Sequence, residues 1–164
     1  MAQVYVSVGS NIARRKNIAH ALDLLAGRYG ELQLSGVYES EAVGFDSAPF
    51  YNMVIGFHTD DPPRTVQRAL HDIEARCGRV RTATLSARTI DLDLLLYADL
   101  VIEEDGMLLP RDDITRYAFV LYPLSEIAPD GRHPVSGRPY AELWAEYDGE
   151  DANALQRVDW SPLS

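Results

Sequence analysis

The sequence predicts an α+β fold, because two kinds of apolar periodicity alternate along roughly its first hundred residues. Four segments place apolar side chains at every second position, as strands do, and two segments repeat them every three to four residues, as helices do. The order strand, helix, strand, strand, helix, strand predicts a ferredoxin-like βαββαβ core, an antiparallel sheet with both helices packed on one face. We expect C-terminal helical additions and a single domain over residues 1–164, since this length suits one core.

The first strand is predicted from alternating valines, and the end of the first helix is predicted from a glycine. Residues 3–8 (QVYVSV) place valine at every second position and predict a strand. Gly9-Ser10-Asn11 is a turn-and-cap cluster that predicts the start of a helix over 13–29, and Gly30 ends that helix. A second strand is expected over 32–38.

The next three elements complete the core. Residues 51–57 alternate apolar and other side chains and predict a third strand. Asp61 before Pro62 indicates a helix N-cap followed by a proline in the first turn, and the apolar stripe that follows ends at Gly78. Residues 90–96 predict the fourth strand.

Two further helices are expected after the core. Residues 118–128 (AFVLYPLSEIA) predict a short helix, bent at Pro123, and residues 139–147 (PYAELWAEY) are a second helical segment. The pattern assigns no role to residues 130–164, which are rich in glycine, proline and charge.

The composition excludes several classes of protein. A formal net charge of −10 argues against nucleic-acid binding, which needs a basic face. No apolar run approaches the roughly 20 residues of a membrane span, and the N-terminus lacks a signal-peptide layout. The one cysteine excludes an internal disulfide framework, so we expect a cytoplasmic protein without membrane contact.

The basic residues are unevenly distributed in this acidic chain. Arg76, Arg79, Arg81 and Arg88 fall within thirteen positions, whereas the whole chain has one lysine. Clustered arginines can be a solvated surface, or their guanidinium groups can hold a polyphosphate. The overall charge favours a small anion over a nucleic-acid duplex.

Two aspartates inside the fourth predicted strand suggest a metal site. Asp91 and Asp93 lie two residues apart and therefore share a face, while Leu92, Leu94 and Leu96 take the other face and fill the core. Two like charges this close raise each other's pKa or require a cation.

Two interpretations of the aspartate pair stay open. Arg88 neutralises the pair as a structural salt bridge, or the carboxylates hold Mg²⁺, which takes one or two protein carboxylates and completes its shell with phosphate oxygens and water. The four histidines lack zinc-ligand spacing, and no P-loop stretch is present.

Five stretches in order carry a resemblance to a known family: VYVSVGSN, FYNMVIGF, IEARCGRVR, ARTIDLDLLLY and YAFVLYPLSEIAP. Over residues 3 to about 129 the chain resembles the 6-hydroxymethyl-7,8-dihydropterin pyrophosphokinases of folate biosynthesis. The resemblance implies a ferredoxin-like core and pyrophosphate transfer from ATP to the hydroxymethyl oxygen of a reduced pterin, releasing AMP. It also implies two Mg²⁺ ions that bridge Asp91, Asp93 and the triphosphate, and we expect a monomer whose partners are these small molecules.

On the phosphate side, the resemblance assigns roles to residues near the predicted metal site. Arg79 and Arg88 match catalytic arginines that meet the phosphates, and Arg81 matches a more mobile arginine on a loop over the nucleotide. Glu74 matches a nucleotide-side helix residue, although the sequence alone reads it equally well as a solvated helix glutamate.

The departures from the family pattern gather on the nucleotide side. His71 replaces the usual glutamine, Arg111 replaces a histidine, and Tyr117 replaces an arginine for which Arg116 is the substitute. The loop TATLSA is about one residue short and lacks a tryptophan. The expected nucleotide contacts are His71, Glu74, Arg81, Arg88, Arg111 and Arg116, and the departures predict a divergent subgroup.

On the pterin side, the resemblance implies a ring sandwiched by two aromatic side chains. Phe50 and Phe119 match these aromatics, Asn52 matches the amide that hydrogen-bonds the ring edge, and Ser40 and Val43 match a loop that adds further hydrogen bonds. Core packing is the alternative for either phenylalanine. Because Asn52 alternates with the apolar face of its strand, it is expected to share a cleft with the aspartate pair.

Three functions remain compatible with the sequence. The first is the pyrophosphokinase, the second is a catalytically weak paralogue that binds a pterin as a regulatory module, and the third is transfer to a different pterin alcohol. AMP release with ATP, Mg²⁺ and the hydroxymethyl pterin distinguishes them.

Overall fold

A computed structural model describes residues 1–41, 48–78 and 90–162. The core elements follow the predicted order. They are β1 (Ala2–Ser10), α1 (Arg14–Tyr29), β2 (Gln33–Leu34), β3 (Val37–Ser40), β4 (Phe50–Thr59), α2 (Pro63–Arg76) and β5 (Asp91–Tyr97). The later elements are β6 (Ile102–Glu104), β7 (Met107–Leu109), α3 (Asp113–Arg116), α4 (Ala118–Ile127), α5 (Tyr140–Ala145), a 3₁₀ helix (Glu150–Ala154) and β8 (Gln156–Val158).

The main sheet is antiparallel and has the order β5-β1-β4-β3-β8, with β2 beside β4. Its centre is the long β1–β4 pair, which runs from Ala2 opposite Thr59 to Ser10 opposite Tyr51. This is the strand order of a ferredoxin-like core, and the predicted fold class is confirmed. None of the described helices is long and apolar enough to cross a membrane.

The first face of the sheet carries the main hydrophobic core. Val4, Val6 and Val8 of β1 are fully buried against Ile18 and Leu22 of α1. The apolar stripe of α2 joins the same cluster, so both predicted helices pack on this face. Gly30 ends α1 with φ at 79°, a left-handed conformation that glycine adopts at little cost.

The second face is covered by the C-terminal additions. Val54 of β4 is buried with Leu121 and Leu124 of α4 and with Tyr140 of α5. The prediction of Leu96 on the first face is wrong, because a bulge changes the register of β5 between Leu94, opposite Val6, and Leu96, opposite Tyr5. Leu95 and Leu96 therefore both pack under α4.

Two predicted helix caps are wrong. β1 continues through Ser10, and α1 is preceded by Ala13 rather than by Asn11, whose side chain donates to the carbonyl of Ala48 at 3.0 Å. Pro62 occupies the N-cap position of α2, while Asp61 forms an ion pair with Arg28 at 3.1 Å. In each case the side chain expected to cap the helix instead contacts a residue that is distant in the sequence.

The strand predicted over 32–38 is divided into β2 and β3. Ser35 interrupts it, because its hydroxyl accepts a hydrogen bond from the backbone N–H of Val54 at 2.9 Å and so replaces a strand-to-strand bond. The sequence pattern also missed the β6–β7 hairpin and the edge strand β8, which are only three residues per strand.

Candidate active site

The main cleft opens on the second face of the sheet, at the end that α4 and α5 leave uncovered. Strand register places Asp91 of β5 opposite Gly9 of β1, Gly9 opposite Asn52 of β4, and Asn52 opposite Tyr38 of β3. Opposed residues share a face, and Asp91, Gly9 and Asn52 of this row form the floor of the cleft. The cavity has a volume of about 180 Å³.

Gly9 keeps the floor of the cleft open. A Cβ atom at this position would lie 3.6 Å from Asn52 Oδ1 and 3.6 Å from the ring of Phe50, in the space between the amide and the Asp91 side of the cleft. Any larger side chain would fill part of the cavity. The Gly9-Ser10-Asn11 cluster therefore contributes an open floor rather than a helix cap.

Asn52 is a buried amide held in a defined orientation. Its Nδ2 donates to Ser40 Oγ at 2.7 Å and to the Tyr38 carbonyl oxygen at 3.2 Å. The side chain lies in the cleft with Phe50, Asp91 and Asp93, so the predicted shared face is confirmed. A preoriented amide suits recognition of the edge of a flat, hydrogen-bonding ring.

Two phenylalanines provide apolar walls. Phe50 begins β4, and Phe119 lies in the first turn of α4; both line the cleft and both are only partly buried. Tyr117 stacks on Phe119 with ring centroids 5.0 Å apart and an interplanar angle of 23°. Both rings border the cleft, and Phe119 also packs against the hydrophobic cluster of the second face, so core packing and a place in the cleft wall both hold for it.

The aspartate pair faces the cleft as predicted. Asp91 and Asp93 both line it, and Asp93 retains 37% side-chain exposure. Asp113 of α3 is a third carboxylate on the same wall, which the sequence reasoning missed although it follows directly on the Pro-Arg-Asp stretch.

Arg111 is a cation that the structure places beside the aspartates, whereas the alternative salt bridge with Arg88 lies outside the described residues. Its Nη2 is 3.7 Å from Asp93 Oδ1, and its Nε is 3.5 Å from Asp113 Oδ2. The buried Nε has no hydrogen-bond acceptor of normal geometry among the described residues. Arg111 therefore borders the aspartate wall as a partly exposed cation.

The donor set of this wall fits Mg²⁺. Within residues 1–41, 48–78 and 90–162 no three histidine, cysteine or acidic side chains are grouped closely enough to enclose a metal. Mg²⁺ does not require such a group, because it binds through one or two carboxylates and takes its other oxygen ligands from phosphate and water. Asp91 and Asp93 supply this pair of hard ligands.

Glu74 supports the strand that carries the aspartates. Its side chain is 1% exposed, and its Oε2 accepts a hydrogen bond from the backbone N–H of Leu92 at 2.9 Å. The expectation of a solvated helix glutamate is therefore wrong. β5 is an edge strand of the sheet. Glu74 of α2 therefore supplies a hydrogen-bond acceptor for the backbone N–H of Leu92, the residue between Asp91 and Asp93.

A second, smaller cleft lies on the other side of Asp93. It has a volume of about 50 Å³ and is bordered by His71 of α2, by Arg111 and by the β6–β7 hairpin. Arg64 of α2 holds that hairpin through hydrogen bonds to the carbonyl oxygens of Glu104 and Asp105 at 2.9 and 2.8 Å. His71 and Arg111, both predicted nucleotide contacts, are thus brought together.

The remaining predicted residues are placed as follows. Arg116 is exposed at the end of α3 and does not line either cleft. Tyr117 beside it stacks on Phe119, which lines the first cleft. Four predicted residues lie outside the described ones: Val43, Arg79, Arg81 and Arg88.

The comparison with family sequence profiles gives one match. Residues 5–129 match the family described as 7,8-dihydro-6-hydroxymethylpterin-pyrophosphokinase. These residues include both clefts and stop before α5.

Individual relatives agree with this match. The chain is 39% identical over 148 residues to a 2-amino-4-hydroxy-6-hydroxymethyldihydropteridine pyrophosphokinase of Pseudomonas aeruginosa, covering 87% of this chain and 90% of the relative. It is 36% identical over 142 residues to the folic acid synthesis protein fol1 of Schizosaccharomyces pombe, covering 84% of this chain but only 19% of that much longer protein.

Solved structures show the same fold. The crystal structure of wild-type Plasmodium falciparum HPPK-DHPS with pteroate aligns with a TM-score of 0.72 at 14% identity, over 95% of this chain and 45% of that one. The chain spans less than half of this longer protein, and at such low identity the likeness concerns the fold alone.

Proposed function

Since the chain belongs to the 7,8-dihydro-6-hydroxymethylpterin-pyrophosphokinase family, we propose how its own residues divide the work of the family's reaction. The protein transfers pyrophosphate from ATP to the hydroxymethyl group of 6-hydroxymethyl-7,8-dihydropterin in folate biosynthesis, using ATP and Mg²⁺. The hydroxymethyl oxygen bonds to the β-phosphorus, the bond from that phosphorus to the α,β-bridging oxygen breaks, and the hydroxyl proton is lost as AMP leaves. The alternative of a pterin-binding regulatory module is not favoured.

The first cleft is the proposed pterin site. Phe50 and Phe119 flank an opening of a size suited to a flat bicyclic ring, and Asn52 presents an amide held by Ser40. The ring stacks between the two aromatic side chains, and Oδ1 of Asn52, whose Nδ2 already donates to Ser40 and Tyr38, accepts a hydrogen bond from the ring edge. Val43 is proposed to add a contact from the loop after β3.

Asp91 and Asp93 are the proposed Mg²⁺ ligands. Bound magnesium would offset the charge of the triphosphate and stabilise the charge that develops at the reacting phosphorus, and we propose two ions. The chain's own contribution is to hold two carboxylates on one face of β5, with Leu92 anchored between them by Glu74. The metal alternative is preferred to a structural salt bridge because both carboxylates line open space.

The second cleft is the proposed nucleotide side. His71 borders it, and Arg111, whose side chain is 39% exposed, offers guanidinium donors for a phosphate oxygen. Arg79, Arg81 and Arg88 are proposed to complete the phosphate contacts. Arg116 is the weakest member of this set, because its exposed position is outside both clefts.

The two clefts meet at Asp93, and this observation carries the assignment. Asp93 lines the pterin cleft and also the nucleotide cleft, so the proposed metal carboxylate lies where the two substrates must meet. Both clefts are formed by one chain, and we propose that a cytoplasmic monomer is the active unit.

Asp93→Asn tests the proposed function, and Asp99→Asn in the exposed turn that follows β5 is the control. We expect Asp93→Asn to abolish AMP release from ATP and the hydroxymethyl pterin, while the melting temperature and pterin binding without Mg²⁺ stay unchanged. Activity retained at the level of Asp99→Asn would contradict the assignment of Asp93. Unfolding of the Mg²⁺-free variant would instead favour the salt-bridge interpretation.

A further inference from the structure

We propose that Asp151, in the C-terminal segment beyond the family match, is a positioning residue for the pterin cleft, acting through the first turn of α4. This inference rests on the proposed function, because it takes Phe119 as a wall of the pterin site. Residues 130–164 lie outside the matched range and include α5, the 3₁₀ helix and β8. Asp151 lies in that 3₁₀ helix and is partly buried.

The contact that carries the inference is made to the start of α4. The backbone N–H of Ala118 donates to Asp151 Oδ2 at 2.8 Å. The first N–H groups of a helix have no partner within it, and a carboxylate there interacts favourably with the helix dipole. Tyr117, at the N-cap position, makes no capping side-chain hydrogen bond, so a residue 33 positions away supplies the cap.

Asp151 is itself held by Tyr147, which lies two residues after the end of α5. The Tyr147 hydroxyl donates to Asp151 Oδ1 at 2.6 Å. Burial, and then the hydrogen bond to Asp151, raise the pKa of Tyr147, so the phenol stays protonated and keeps donating. The Tyr147 ring stacks on Trp144 at 5.5 Å, and Trp144 packs against Tyr122 of α4 at 4.8 Å.

The contacts of Asp151 with Ala118 and Tyr147, which we call the brace, reach the proposed pterin site but not the proposed nucleotide site. Phe119 follows Ala118 directly, and its ring borders the first cleft. Loosening the first turn of α4 changes the orientation of that ring and of Tyr117, which stacks on it. The second cleft has no wall from residues 130–164, so nucleotide binding is expected to be independent of Asp151.

The experiment compares Asp151→Ala and Asp151→Asn in the full chain with two controls. Asp159→Ala removes an exposed carboxylate of the same tail, and Ile18→Val lowers stability from the core beneath α1, far from the brace. The measured quantities are pterin and ATP dissociation constants, the melting temperature, and kcat and KM for both substrates. Asn retains an acceptor for Ala118, so it serves as the conservative rescue.

We expect Asp151→Ala to raise the dissociation constant and the KM of the pterin by about 3- to 30-fold, which is the range that corresponds to the loss of a helix cap. ATP affinity should stay within about twofold of the native value. Asp151→Asn should recover most of this loss, and both controls should leave pterin binding unchanged. Equal weakening of pterin and ATP, or a pterin effect matched by Ile18→Val, would overturn the proposal. So would native pterin binding in Asp151→Ala.

Phe119→Ala distinguishes failure of the brace from failure of the proposed site. If Phe119→Ala weakens pterin binding and Asp151→Ala does not, the brace is refuted and the pterin site stands. If neither variant weakens pterin binding, the pterin site is wrong and the brace is refuted with it. If Asp151→Ala fails to fold, Tyr147→Phe, which removes the hydroxyl that holds Asp151, decides instead. Weaker pterin binding with native ATP affinity supports the brace, and native binding of both ligands overturns it.

Discussion

Removal of the Glu74 carboxylate tests whether the strand between the two aspartates depends on a buried side-chain acceptor. Oε2 of Glu74 is 2.9 Å from the backbone nitrogen of Leu92, and the side chain is 1% exposed. In Glu74→Ala this buried N–H loses its acceptor, which costs about 1–3 kcal/mol. For a chain of this size the melting temperature should fall by about 2–4 °C per kcal/mol, or roughly 2–12 °C in total.

Glu74→Gln separates the hydrogen bond from the charge. The amide oxygen can still accept a hydrogen bond from the backbone N–H of Leu92. The loss of folding stability should therefore be the difference between a charge-assisted and a neutral hydrogen bond, about 1 kcal/mol. Because Leu92 lies between Asp91 and Asp93, Glu74→Ala should also raise the Mg²⁺ concentration needed for half-maximal ATP binding. Glu74→Gln should shift that concentration less.

The assay is thermal unfolding of the ligand-free protein together with a Mg²⁺ titration of ATP-analogue binding. Asp72→Ala is the matched control, because Asp72 lies on the same helix and forms an exposed ion pair with Arg76 at 3.3 Å, which contributes about 0–1 kcal/mol. Alanine and glutamine variants with the same melting temperature would refute the role of the Leu92 hydrogen bond. An unchanged Mg²⁺ requirement in Glu74→Ala would refute the link to the metal site.

Two further expectations concern the substrate contacts. Phe119→Ala should weaken pterin binding at least several-fold and leave ATP affinity constant, since aromatic stacking contributes about 0.5–1.5 kcal/mol beyond the buried area. Calorimetric titration of each ligand measures both affinities. Equal loss of both affinities would indicate that the wall of the cleft has collapsed. Arg111→Ala should weaken ATP binding and reduce its salt dependence, because a partly exposed cation is removed from the phosphate side. ATP titrations at several salt concentrations check it, with exposed Arg132→Ala as a distant control, and an unchanged salt slope would contradict it.

The sequence alone determined the order of the core elements and the face on which the key side chains lie. Strand period fixes which residues share a face, so Asp91, Asp93 and Asn52 could be assigned to one cleft before any contact was known. The match of the five motifs to the family predicted the reaction, and Gly30 ended α1 where glycine makes a left-handed residue inexpensive. These features are local, because each depends on neighbours within a few residues along the chain.

Only the tertiary structure decided which distant groups support those side chains. Glu74 meets Leu92 across 18 residues, and Asp151 meets Ala118 across 33, contacts that no local pattern encodes. Leu96 changed faces because one extra residue bulges from β5 against β1, which periodicity cannot foresee. The periodicity of a strand or helix predicts the direction of each side chain. The partner of that side chain depends on how helices and strands pack, since its burial and hydrogen bonding are determined by all the surfaces around it.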